Sequence, residues 1–350
     1  MTDFSKDLLN YYDQEKRDLP WRRTQDPYKI WVSEIMLQQT QVETVIPYYE
    51  RFLARLPRLE DLAGAPEDLL FKLWEGLGYY SRVQNMKKAA QKILQDFGGH
   101  FPTSYEDLKT LPGIGPYTAG ALASIAFGQR VGAIDGNVLR IMTRIFEISD
   151  PIDRVATKRQ VAEKVQDLMG EDRPGDFNQA LMDLGSDICR PKDPQCGACP
   201  VTSYCGARKR GTQAAYPIRQ KKKAPRKEKM TILLIYKGDE VLLVKRPNKG
   251  LLKGLWSFPT IRGHLTGEDV RKILFESNYR VCQLDPLPPS KHLFSHLHWS
   301  MVAYRVHVEE DAFLEGLTPY GQEALWLTKE ELLSNYAIPS AYGAYIRELI

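Results

Sequence analysis

Residues 111–120 read LPGIGPYTAG. Leu111-Pro112 ends one segment, and Gly113 and Gly115 supply conformations and clearances that a residue with a Cβ resists. Pro116 suits the first turn of a following helix, where its missing N–H is no loss. Ser104 is placed to cap a helix over residues 104–110, and residues 117–127 repeat with helical spacing. The stretch therefore predicts helix, glycine hairpin, helix across residues 104–128. Backbone N–H groups would lie free at the positive end of the second helix, a ready site for phosphate. Taken alone, such a turn fits tight helix packing equally well. Its first long side chain is a tyrosine, Tyr117.

The surrounding region, residues 1–186, is rich in helical periodicity and poor in strand signals. Helices are predicted over 28–49, 67–74, 83–97, 137–146, 158–169 and 177–184, with Ile35, Val42 and Ile46 on one stripe of the first and Pro47 bending or ending it. From Met230 the texture changes. TILLIY and VLLVKR read as buried strands about the turn Lys237-Gly238-Asp239, and Thr328 with Glu331 forms a capping box before a short helix. The fold class expected is multidomain: a mainly α domain over 1–215, a linker over 216–229, and an α+β domain over 230–350.

The bulk numbers fit a soluble globular chain, with 43% hydrophobic and 26% charged residues in 350. No apolar run approaches the roughly 20 residues of a bilayer span. The N-terminus lacks an apolar signal core, so a cytoplasmic protein with no membrane contact is expected, taken as a monomer. Arg219–Lys229, RQKKKAPRKEK, holds seven basic residues against one acidic, leaving 41 basic and 43 acidic for the rest of the chain. Affinity for a polyanion must come from this segment or from a sorted face. As a segment, it reads first as a solvated linker.

Four of five cysteines fall within residues 189–205 as Cys189-x6-Cys196-x2-Cys199-x5-Cys205, a metal signature in a chain of this kind. Spacing alone admits a structural zinc or an iron–sulfur cluster. Cys282 stands apart and reads as a small buried side chain. Glu34 lies inside WVSEIMLQQTQVETV, residues 31–45, among apolar and amide neighbours, with Leu37, Gln38 and Gln41 expected on its face. A carboxyl there would lose hydration and have its pKa raised, suiting it to donate a proton near neutrality.

Several stretches together resemble one family. LPGIGPYTA looks like the helix–hairpin–helix of base-excision DNA glycosylases, and AIDGNVLR, residues 133–140, falls where that superfamily keeps its catalytic aspartate, here Asp135. SEIMLQQTQV, residues 33–42, and GLGYYSRVQN, residues 76–85, resemble MutY-type adenine glycosylases. The resemblance implies Glu34 as proton donor to the adenine and Asp135 as the ionised partner of an oxocarbenium-like sugar, assisted by Tyr117 and Asn137. It implies Leu37, Gln39, Thr40, Gly113 and Gly115 in DNA contacts, Tyr79 as a wedge beside the lesion, and Trp21, Arg22 and Gln179 around the extruded adenine. Endonuclease III-like members carry a lysine at the Tyr117 position and use it to attack the sugar. Tyrosine cannot form an imine, so a glycosylase without an efficient strand-nicking lyase is implied. The cysteine spacing matches the family's [4Fe–4S] loop and decides against zinc, with Arg190, Lys192, Arg208, Lys209 and Arg210 presented to phosphate.

Residues 240–259 resemble the early strands of a Nudix fold. The run that would hold Mg²⁺, GHLTGEDVRKILFES, has only Glu268, Asp269 and Glu276, so nucleotide hydrolysis is not expected. In the family this domain senses 8-oxoguanine opposite the adenine, and KHLFSHLHW, residues 291–299, holds the matching Phe294-Ser295-His296. The implied substrate is double-stranded DNA with adenine opposite 8-oxoguanine or guanine. Rival readings are an endonuclease III-like glycosylase/lyase, a nucleotide pyrophosphohydrolase fused to a DNA-binding module, and a non-catalytic DNA binder.

Overall fold

The computed structural model describes residues 2–220, 224–277, 279–309 and 323–349. The chain divides into two compact units, Met1–Gly64 with Asn85–Lys222 and Ala65–Gln84 with Lys223–Ile350.

The first unit is helical. Its elements in chain order are α1 (Asp3–Glu15), α2 (Pro27–Met36), α3 (Val42–Arg55) and α4 (Leu59–Gly64). After α5 (Glu67–Trp74), which belongs to the second unit, come α6 (Ser81–Asp96), α7 (Tyr105–Leu108), α8 (Pro116–Ile125) and α9 (Gly136–Phe146). α10 (Val155–Leu168), α11 (Pro174–Asp183) and α12 (Gly206–Arg210) complete it. Phe4, Leu8 and Tyr12 of α1 bury against Val138, Ile141 and Ile145 of α9 and Phe177 and Leu181 of α11. These are repeats of three and four residues, so each helix turns one apolar stripe inward.

The hairpin of the opening stretch is formed as expected. Ser104 caps α7 by accepting from the Asp107 N–H, Gly113 takes φ +79°, and Pro116 opens α8. A Cβ on Gly113 would stand 2.7 Å from the Cβ of Asn85, so both torsion and clearance exclude a larger residue there. Gly115 differs: its backbone is extended at φ −89° and open space surrounds it.

One expected helix is two. Residues 28–49 split between α2 and α3 because Gln39 turns left-handed, at φ 59°, and Gln41 enters α3 in extended conformation. Pro47 does not end α3: Val45, Tyr49 and Phe52 are buried along one side, and that stripe carries the helix past the proline. Gln41 thus leaves the face of Glu34, while Leu37 keeps helical torsions with its N–H on Ser33 O.

The second unit is built on a seven-stranded mixed sheet among the described residues, in the order β3-β2-β1-β6-β5, with β4 on β1 and β7 on β2. The strands are β1 (Arg226–Lys237), β2 (Glu240–Lys245), β3 (Trp256–Ser257), β4 (Thr260–Arg262), β5 (Val281–Leu293), β6 (Leu297–Val308) and β7 (Ala324–Thr328). β1 and β6 run parallel, from Arg226 opposite Leu297 to Tyr236 opposite His307. Ile232 and Leu234 of β1 enter the core with Trp256, Trp299 and Tyr342, while Leu233 and Ile235 enter the opposite one with Val270, Leu274 and Tyr279. Burial on both faces explains the unbroken apolar run. The helices are α13 (Gly267–Glu276), α14 (Lys329–Asn335), opened by the expected Thr328–Glu331 capping box, and α15 (Gly343–Ile346).

Two expectations change here. β1 begins at Arg226, so Arg226–Lys229 are strand rather than linker; residues 221–223 of the basic stretch lie outside the described residues. Cys282, expected buried, is exposed on β5, at the register shift between Val281 and Gln283.

Candidate active site

Two helix ends and one helix interior make the site. Glu34 sits on α2 with only 5% of its surface exposed, among the buried Ile30, Trp31 and Ile35. α8 delivers Tyr117 from its first turn, and the Tyr117 hydroxyl donates to Glu34 Oε2 at 2.7 Å. A second bond ties the same helices, from Gln38 Nε2 to Thr118 Oγ1 at 3.4 Å. Burial pushes the Glu34 carboxyl up to about 7, opposed by the Tyr117 hydrogen bond and reinforced by the charge of Asp135. The Tyr117 hydroxyl itself is pushed well above its ordinary range by burial and by the charges of Glu34 and Asp135, so it stays a donor.

Asp135 is the N-cap of α9, and its Oδ1 accepts the Val138 N–H at 2.7 Å. Burial raises its pKa, while the N–H groups of Val138 and Asn137, the charge of Arg140 and the Asn137 side chain pull it down. The net shift is upward, and the helix end limits it by favouring the ionised form. The segment leading to Asp135 is fixed by buried Asn178, whose Oδ1 accepts the Ala133 N–H at 3.0 Å and whose Nδ2 donates to Val131 O at 2.9 Å. Glu34, Tyr117, Asp135 and Asn137 are therefore brought together: two carboxyls on different elements, one buried and bonded to Tyr117, the other held by a helix terminus.

Around them, α11 contributes Met182, whose Sδ lies 3.9 Å from the Tyr117 hydroxyl. Gln179, half-buried one turn earlier, shares that face. Trp21 is buried edge-on against Tyr49, with ring centroids 5.4 Å apart. Arg22 gives both terminal nitrogens to Asp183, at 2.7 and 2.9 Å, and its charge reaches Glu34. Leu37 and Thr40 are half-buried at the end of α2. Gln39 is exposed and left-handed, as is Tyr79, at φ 47° and half exposed, in the second unit. Strained non-glycine backbone at both positions singled out for DNA contact fits the tendency of such outliers to mark functional sites.

The cysteine loop is tied to α9. Arg140 Nη2 donates to Asn137 Oδ1 at 2.8 Å and its Nε to the Cys189 carbonyl at 2.7 Å; Arg144 donates to Cys189 Sγ at 3.3 Å and to Arg190 O at 2.8 Å. Cys189, Cys196, Cys199 and Cys205 line one cavity with Ile141, Leu184 and Val201. No histidine or carboxylate lines that cavity. Burial pushes the Cys199 thiol up to about 11 and raises that of Cys205, so a positive centre is needed to hold the set as thiolates. Among the described residues, no three His, Cys, Asp or Glu side chains are so placed as to hold a metal ion as they stand.

In the second unit, Phe294-Ser295-His296 is the turn between β5 and β6. The Phe294 N–H donates to Leu297 O at 2.8 Å, and its ring lies 5.1 Å from that of Trp299. Ser295 and His296 are exposed, with Ser295 Oγ 3.3 Å from His296 Nδ1.

Sequence reasoning missed Asp183, Asn178, Arg140 and Arg144. Asp183 acts across 161 residue positions and Asn178 across 45, where no local pattern speaks. Arg140 and Arg144 left a signal: two arginines four apart on an otherwise apolar helix between the aspartate and the cysteines.

Residues 32–169 match the family described as HhH-GPD superfamily base excision DNA repair protein, and residues 230–348 match the NUDIX domain. The chain is 37% identical to the adenine DNA glycosylase of Homo sapiens, over 95% of its own length and 71% of the relative's. It is 36% identical to that of Buchnera aphidicola subsp. Baizongia pistaciae, over 84% of this chain and 83% of the relative. Among solved structures, a thermostable thymine-DNA glycosylase is similar at a TM-score of 0.54 and 28% identity, covering 59% of this chain and 95% of that one. Among the described residues, no helix is long and apolar enough to cross a membrane.

Proposed function

The chain belongs to the adenine DNA glycosylases, and from that footing we propose that it removes adenine opposite 8-oxoguanine, and opposite guanine, without an efficient lyase step. The observation that carries this reading is the buried Glu34, bonded to Tyr117, with its carboxyl pushed up to about 7 beside Asp135. An acid of that strength holds its proton near neutrality and can still give it away.

Adenine inside a duplex is unreachable, so the nucleotide must be turned out of the stack. Glu34 then gives its proton to N7 of the base. As the C1′–N9 bond breaks, its electron pair leaves with adenine, which departs neutral. Asp135, ionised at the N-terminus of α9, faces the positive sugar until water adds to C1′, giving up a proton, and leaves an abasic site. One raised acid and one charge-holding acid is the division of labour of two-carboxylate glycoside hydrolysis. Asn137, near Asp135 and held by Arg140, orients it.

Partner recognition falls to Ser295 and His296, exposed at a turn whose Phe294 is anchored on Trp299. Adenine is a normal base, so its excision has to be conditioned on what lies opposite. Tyr79 serves as the inserted wedge, and Gln39 and Thr40 as backbone-side contacts.

Cys189, Cys196, Cys199 and Cys205 would hold a [4Fe–4S] cluster. An all-sulfur donor set lining one cavity fits the cluster that the family's cysteine spacing implies. Bound, the cluster supplies a cross-link that fixes the loop and presents Arg190, Lys192, Arg208, Lys209 and Arg210 to phosphate.

Duplexes carrying adenine opposite 8-oxoguanine, guanine or thymine, incubated with the protein and then treated with alkali, test the reading. Cleavage at adenine in the first two and not the third is expected, with no protein–DNA adduct trapped by borohydride. A trapped adduct would instead support a lyase of the endonuclease III kind.

A further inference from the structure

The segment that carries Tyr79 is grouped with the sheet-containing unit, not with the helical one. α5, which leads into it, presents a polar stripe at positions 68, 72 and 75, while Leu70, Phe71, Leu73 and Trp74 are buried. Each member of the stripe meets the C-terminal part of the chain. Trp256 Nε1 donates to Asp68 Oδ1 at 3.1 Å, Lys72 Nζ to the Tyr336 carbonyl at 3.3 Å, and the Ile338 N–H to Glu75 Oε1 at 3.0 Å. Lys72 and Glu75 are also paired, at 2.6 Å.

Glu75 is the C-cap of α5 and the last residue before a strained loop. Gly76 and Gly78 take φ 99° and 69°, and Tyr79 takes 47° with a Cβ to accommodate. From within, the loop is held by Trp74 Nε1 on Gly78 O at 3.1 Å and Arg82 Nη2 on Leu77 O at 2.8 Å. On the C-terminal side, the Ile338–Glu75 bond fixes the point where the loop leaves the helix.

We propose that Glu75 is a positioning residue: through the Ile338 N–H and Lys72 it fixes the Tyr79 loop to the lesion-sensing domain, so that Tyr79 is aimed by the domain that reads the opposite base. The inference rests on Tyr79 being the residue inserted into the duplex. An α5 stripe bonded at three successive places to Trp256, Tyr336 and Ile338 makes loop and domain one mechanical piece.

The test uses the full-length protein, with single-turnover excision of adenine opposite 8-oxoguanine and the fluorescence of 2-aminopurine in the target position. Glu75→Ala is expected to slow excision about tenfold and to lower the fluorescence rise on binding. Glu75→Gln keeps an acceptor for the Ile338 N–H and is expected to restore most of both. Combined with Tyr79→Ala, Glu75→Ala should add nothing to the loss from Tyr79→Ala alone, an outcome that general destabilisation would not give. Should Glu75→Ala fail to fold, Trp256→Phe removes the N–H to Asp68, leaves Glu75 in place, and carries the same cycle. Wild-type fluorescence and rate in these variants, or losses that add to that of Tyr79→Ala, overturn the proposal. Failure of the wild-type protein to excise adenine would count against the proposed function instead.

Discussion

The cluster around Glu34 and the turn Phe294-Ser295-His296 are opposite solutions to handling a base. The cluster takes Glu34, Tyr117 and Asp135 from three separate elements and withdraws them from water. The turn takes three consecutive residues, buries the edge of one ring and leaves the two polar side chains exposed. Proton transfer to a leaving group needs a carboxyl whose pKa has been moved, and here burial moves it, reinforced by the charge of Asp135. Reading a partner base needs donors and acceptors that are still unspent. Reaction and recognition can therefore change independently, and variants should separate them.

The largest separation is expected at the carboxyls. Glu34→Gln or Asp135→Asn should lower adenine excision by on the order of 10³-fold in a single-turnover assay while leaving duplex binding intact. Glu34→Gln should also stabilise the protein. The folded state holds a proton up to about pH 7 that the unfolded chain releases near 4.5. Wild-type stability is therefore lost as pH rises between those values, and the variant lacks that loss. Near pH 8, urea unfolding should find the variant more stable by about 3 kcal/mol, with no difference below the unfolded-state value.

Tyr117→Phe comes next, at about thirtyfold in rate, because a hydrogen bond to the ionisable acid is lost. The Tyr117 hydroxyl holds the Glu34 pKa down, so its removal should move the alkaline limb of the pH–rate profile upward. Ser295→Ala with His296→Ala should cost least. The preference for 8-oxoguanine over guanine opposite the adenine should fall about tenfold, with excision opposite guanine unchanged. Equal losses against both partners would return the turn to a purely structural part.

The same contrast governs what could be read in the sequence. The glycine hairpin was legible because Gly113 needs a left-handed torsion and Pro116 a helix start, and both are local requirements. The sheet was legible through the unbroken apolar run of β1, which both cores require. The break after α2 was not, because Gln39 is left-handed with no glycine to announce it. Cys282 was misread because a lone cysteine carries no sign of which face of β5 it occupies. Of the two acids, Glu34 stood out through its apolar neighbours and Asp135 only through resemblance, and their meeting depends on helices far apart in the chain. Asp183 left no local trace: its partners Arg17 and Arg22 lie 166 and 161 residues away.

The most direct test of the acid role of Glu34 is the pH dependence of single-turnover adenine release opposite 8-oxoguanine. The rate is expected to hold steady below about pH 7 and then to fall about tenfold per unit as Glu34 loses its proton, with the dependence gone in Glu34→Gln. A rate that stays level to about pH 9, or a Glu34→Gln enzyme that turns over normally, would contradict it.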